Sequence, residues 1–156
     1  MANPFECDAA QIAVANTIYQ GLLGQRTQYG TFYDHHAAAM VEQAFAESSF
    51  DLDARGDNDA AFSLFQDHTA RCAAIKAATG IDIEKSPTVE QVVEAVLWEL
   101  ENPEHAALEK ILATTNAYDA GYAACEYYER AGAPGQPAKR AAATVLWAAY
   151  FAALPA

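Results

Sequence analysis

A chain of 156 residues that is 53% hydrophobic and 19% charged can bury one sizeable core and is too apolar to stay disordered. Its net charge of −12, with nine scattered cations, excludes a nucleic-acid binder, which needs clustered Lys and Arg to displace counterions from phosphates. No apolar run approaches bilayer length, and the opening Met1-Ala2-Asn3-Pro4-Phe5-Glu6 lacks the basic start and apolar stretch of a secretory signal.

Alanine dominates and breakers are few, so helix is the expected state of most segments. A first helix is predicted over Ala9 to Leu23, ahead of Gly24. A second runs from Tyr33 to Glu47, where Ala37, Met40, Val41, Ala44 and Phe45 form one buried stripe and Glu42 falls on the opposite, solvated side. Residues 48–61 are polar and turn-rich, with Gly56 set for a positive φ, and predict a short hairpin or irregular loop. A helix over Asp67–Thr79 stops at Gly80. Ser86-Pro87 reads as the cap and first residue of a helix whose stripe Val89, Val92, Val93, Val96, Leu97 and Leu100 marks a central core element. Asn102-Pro103 starts a further helix to Leu112, and Thr115 or Asn116 caps one reaching Arg130. A loop over 131–137 leads into a final helix from Pro137 to Ala153. No repeat or linker interrupts the chain, which reads as a single domain over 1–156.

Cys7, Cys72 and Cys125 form no CxxC pair, so they read as small buried hydrophobes rather than zinc ligands. His35, His36, His68 and His105 make no ligand pair, and His35 and His36 are expected to point in different directions. Asp51, Asp53, Gly56, Asp57 and Asp59 match positions of an EF-hand loop, but Arg55 intrudes among the ligands and Phe62 stands where a bidentate Glu belongs. No metal or cofactor is expected.

Glu47 is the acid that stands out. It lies at the last turn of the second helix, on the edge of the buried stripe. Desolvation and the negative end of the helix dipole would both keep its carboxyl protonated. A glycosidic leaving oxygen needs such a proton donor, and a second carboxylate could activate water or stabilise an oxocarbenium-like state. The bland alternative is a surface glutamate beside a solvated acidic loop.

Three motifs occur in order: Ala44-Phe-Ala-Glu47-Ser-Ser-Phe50, Asp53-Ala-Arg-Gly-Asp57, and Ala61-Phe-Ser-Leu-Phe-Gln66, with Arg71 beyond. Together they resemble the lysozyme-like superfamily, closest to the phage tail lysozymes, with lytic transglycosylases and goose-type lysozymes behind them. The later Val96-Leu-Trp-Glu-Leu100 and Tyr127-Tyr-Glu-Arg130 segments extend the resemblance over about residues 36–145. It implies a mainly α, lysozyme-like domain and cleavage of peptidoglycan glycan strands, with Glu47 as general acid. Asp57 is then the best-placed second carboxylate, and Ser48, Phe65, Gln66 and Arg71 are implied to bind substrate. Trp98 would pack beside the active-site helix, and Glu129-Arg130 would close the helical lobe. A phage particle is the implied carrier, tail or virion proteins the implied neighbours, and the bacterial wall the target.

Ser49 and Ser63 replace the family's usual glycines, and Asp67 replaces its tryptophan. Those losses and the acidic charge, which disfavours an anionic polymer, support a competing class: a non-catalytic virion protein that keeps the fold.

Overall fold

A computed structural model describes residues 3–155. Seven α-helices carry the fold: α1 (Ala9–Leu22), α2 (Asp34–Ser48), α3 (Thr69–Thr79), α4 (Val89–Glu101), α5 (His105–Leu112), α6 (Ala117–Ala123) and α7 (Gln136–Ala153). A π-helical turn, Ala124–Glu129, continues α6. Two small antiparallel sheets fill the gaps. Strands β1 (Arg26–Thr27) and β2 (Gly30–Thr31) form a hairpin before α2, and β3 (Arg55–Gly56), β4 (Ala61–Phe62) and β5 (Asp67–His68) form a meander between α2 and α3. The mainly α, lysozyme-like expectation holds, and the polar stretch is a hairpin that gains a third strand. Among the described residues no helix is long and apolar enough to cross a membrane.

The central element is α2, not α4. Helix α2 packs against α1, α6, α7 and the π-turn, and every residue from His36 to Ala44 is buried. A helix covered on all sides has no solvated face, so the stripe expected from its spacing is one sector of a wholly buried cylinder. Glu42 therefore lies inside, only 4% exposed, with Trp147 Nε1 donating to its Oε2 at 2.9 Å. Trp147, on α7, is also the tryptophan that packs against α2. Phe45, Phe50, Tyr150 and Phe151 surround its ring at centroid distances of 5.7–6.1 Å. Trp98 is half-buried on α4 instead.

Several helix ends follow from their caps. Asp8 and Gln11 exchange side-chain and backbone bonds to start α1, and Gly80 at φ 79° ends α3. Helix α4 starts later than Ser86-Pro87 because Thr88 and Gln91 form a reciprocal capping box, while Ser86 sits in the left-handed region at φ 44°. Helix α5 likewise starts two residues beyond Pro103, and Asn116 caps α6 by accepting from Asp119 N–H. His35 and His36 do not diverge. Their rings lie 3.9 Å apart, and each brings Nε2 within 3.0 Å of the Thr114 carbonyl, joining α2 to the start of the α6 segment. All three cysteines are free and buried.

Burial drives the Glu42 carboxyl from 4.5 up to about 7, against the pull of Trp147, Arg140 and Lys139. A carboxyl whose folded value is raised contributes stability below its unfolded value and loses it as pH rises through the folded one. Stability is thus expected to fall between pH 4.5 and about 7. Glu42→Gln keeps an acceptor for Trp147 and should remove a loss on the order of 2–3 kcal/mol at neutral pH. Thermal unfolding of both proteins across that range checks this. A wild-type melting temperature that rises with pH, or a variant curve parallel to it, would refute the assignment.

Candidate active site

A cleft of about 370 Å³ opens where the end of α2, the meander, α3, the π-turn and α7 meet. Glu47 lines it from α2, Asp57, Gln66 and His68 from the meander, Arg71 from α3, Glu129 from the π-turn, and Arg140 from α7. The structure thus gathers Glu47, Asp57, Gln66 and Arg71 in one cavity. Ser48 and Phe65 are not among its lining residues. The Ser48 hydroxyl lies within 2.8 Å of the Ala44 carbonyl and 2.9 Å of the Leu64 carbonyl, tying the end of α2 to the meander. Phe65 is buried beneath, edge-on to the Tyr128 ring at 6.2 Å.

The surroundings of Glu47 differ from the apolar ones expected. Its Oε1 lies 2.8 Å from Arg140 Nη1, and both side chains are largely shielded from solvent. The same guanidinium donates to Gln43 Oε1 at 2.8 Å and to Gln136 Oε1 at 3.2 Å. Arg140 escaped notice in the sequence, although a signal was there. Arg140, Thr144, Trp147 and Phe151 share a buried face of α7 at i, i+4, i+7 and i+11 spacing, and an arginine on such a face needs buried acceptors.

Beneath the cleft runs a second buried network. Arg71 makes a two-pronged pair with Glu99, at 2.6 and 2.7 Å. The Tyr128 hydroxyl donates to Glu99 Oε1 at 2.6 Å, and the Arg71 guanidinium stacks on the Tyr128 ring at 4.7 Å. Asp67 is buried with Oδ1 3.6 Å from Arg71. Burial, then Glu99, pushes its carboxyl above the usual range. At the rim, Arg130 grips Glu104 at 2.8 and 3.0 Å, tying the π-turn to α5, and holds that carboxyl below its ordinary value.

The meander is built from left-handed residues. Asp57, Asn58 and Asp59 have φ of 48°, 56° and 67°, a conformation that Asn and Asp tolerate best. This turn requirement accounts for much of the acidic run. Asp57 then reaches across the sheet to His68 Nε2 at 2.9 Å. Gly56 does not have the positive φ expected of it. Instead it leaves room for Gln66, whose Oε1 would lie 2.5 Å from an added Cβ and would have to shift. Gln66 itself donates to the Ser63 and Ala54 carbonyls at 2.9 and 3.2 Å, and so closes the meander on itself. Among the described residues no cluster of three or more His, Cys, Asp or Glu is arranged to hold a metal ion.

A family model for phage tail lysozymes matches residues 13–151, nearly the whole chain. The chain belongs to the phage tail lysozyme family. Neither a curated protein nor a solved structure matches it. The two serines that the resemblance sets in place of glycines both hold left-handed backbone. Ser49 caps α2 at φ 51°, and Ser63 turns the chain between β4 and β5 at φ 65°. The backbone keeps the left-handed geometry that glycine adopts freely, and serine carries the strain.

Relieving that strain generates a prediction. Ser63 Oγ is buried with no partner among the described residues, so its loss carries no broken bond there. Ser63→Gly is expected to stabilise the fold by about 1 kcal/mol, or roughly 2–4 °C in Tm, with exposed Ser49→Gly gaining less. A lowered Tm for Ser63→Gly in a thermal melt would show that the hydroxyl has a role of its own.

Proposed function

We propose that this phage tail lysozyme cleaves the β-1,4 bond between N-acetylmuramic acid and N-acetylglucosamine in peptidoglycan, with Glu47 as general acid. The supporting observation is Glu47 itself: a half-buried carboxyl at the end of the central helix, in the wall of a polar cleft of about 370 Å³. Proton delivery to the leaving oxygen lets the C1–O bond break with its electron pair on that oxygen. The Gln66 amide oxygen and the remaining N–H groups of the cleft arginines offer hydrogen bonds to hydroxyl, acetamido and lactyl groups. In this reading the protein travels with the phage particle, among its tail or other virion proteins, and opens the wall during genome entry.

Hydrolysis requires an activated water, and Asp57 is the meander's candidate base. Its bond to His68 favours a second reading, a lytic transglycosylase, in which the sugar's own hydroxyl attacks and no second carboxylate is needed.

Glu47→Gln is expected to lower turnover on purified peptidoglycan by roughly 10²–10⁴-fold, with a cooperative melt whose midpoint falls because Arg140 loses its counter-charge. Equal activity would end the assignment. Asp57→Asn separates the two chemistries. A hydrolase using Asp57 loses activity by a similar factor, with Asp51, Asp53 and Asp59 variants as controls for general charge loss. A transglycosylase loses little, and its products carry anhydro-muramic ends visible by mass spectrometry.

A further inference from the structure

The cleft holds a carboxyl that neither reading uses. Glu129 ends the π-turn, a wide helical turn of a kind frequent at functional sites, and Arg130 behind it is left-handed at φ 54°. It lines the same cavity as Glu47. Among the described residues its Oε1 is buried and has no hydrogen-bond partner. Two guanidiniums stand close by, yet both are committed elsewhere: Arg140 to Glu47 and Gln43, and Arg71 to Glu99.

We propose that Glu129, rather than Asp57, is the carboxyl that works with Glu47, the pair holding a single proton between them in the resting cleft. This inference rests on Glu47 being the acid. The arrangement separates two like groups: Glu47 carries the charge against Arg140, and Glu129, with a buried and unpartnered oxygen, carries the proton. Burial, followed by the Glu47 carboxylate, raises the Glu129 carboxyl well above its ordinary value. Asp67 from β5 adds to that, while Arg71 from α3 and Arg140 from α7 oppose it. Glu104 on the α5 side is paired with Arg130, and the Asp57 carboxyl is turned to His68 Nε2.

Glu129 acts through Glu47 and so positions the proton. As glycan enters and the Arg140–Glu47 pair opens, the proton passes from Glu129 to Glu47, directly or through a cleft water, and the negative charge moves to Glu129. Glu47 gives the proton to the glycosidic oxygen, and the C1–O bond breaks with its electron pair on that oxygen. The attacking hydroxyl bonds to C1, and its proton returns to the pair. One proton and one negative charge stand on the pair at the start and at the end.

The pH–rate profile on peptidoglycan tests this. In Glu129→Gln only Glu47 can hold the proton, beside a fixed cation, so the alkaline limb should move down by about one pH unit or more. Activity near neutral pH should fall about tenfold and recover towards acid pH. Glu129→Asp, which keeps a carboxyl, should leave the limb near its wild-type position. An unmoved limb in Glu129→Gln, at unchanged or uniformly lower rate, overturns the proposal. Should Glu129→Gln not fold, ¹³Cδ-glutamate NMR of the wild type decides: besides Glu42, a further glutamate must stay protonated at neutral pH, and finding none overturns it. A wild type with no activity would remove the reading of Glu47 as acid, and the NMR titration would still report where the proton sits.

Discussion

A guanidinium buried between helices must meet its acceptors or the helices must part, because an unpaired charge in the interior costs several kcal/mol. Two arginines impose that condition here. Arg140 reaches from α7 to Gln43 and Glu47 on α2, and Arg71 reaches from α3 to Glu99 on α4, beneath Tyr128 of the π-turn. The cleft is the gap left between these two stitched regions, and its polar wall is the exposed side of both networks. Helix α7 can come so close because Gly121 on α6 faces Thr144 and Ala141, where any side chain would collide. Thr144 in turn bonds the Arg140 carbonyl at 2.8 Å. A glycine on α6 thereby helps set where the partner of Glu47 stands.

The meander answers a different demand. It must reverse direction twice within fourteen residues and still present Gln66 and Asp57 to the cavity. Left-handed residues make the turns, and the hydrogen bonds of Gln66 and Ser48 to backbone carbonyls fix the result. Phe62, Leu64 and Phe65 root it in the main core, and those bonds set the turns on either side of them.

Much of this was legible in the chain. Helix positions followed from spacing, the end of α3 from Gly80, and the cleft acid from a glutamate at the edge of a stripe beside a turn-rich segment. What periodicity could not show is whether a helix has one buried side or is buried all round. That ambiguity misplaced Glu42 and gave α4 the central position that belongs to α2. Gly56 looked like a turn glycine because a side-chain clash with Gln66 leaves no local trace. His35 and His36, adjacent on a helix, converge because a distant carbonyl, Thr114, offers both a partner. Glu129 was visible within its motif, but its role depends on Glu47 and Arg140, which tertiary structure alone brings near it.

Of nine cationic side chains in a molecule of net charge −12, three line the cleft. There Arg140 offsets Glu47, Arg71 offsets Glu99 and Arg130 offsets Glu104, so the mouth of the cleft is less negative than the rest of the surface. Against an anionic wall, most orientations of approach are therefore repelled, and the one that presents the mouth is the least opposed.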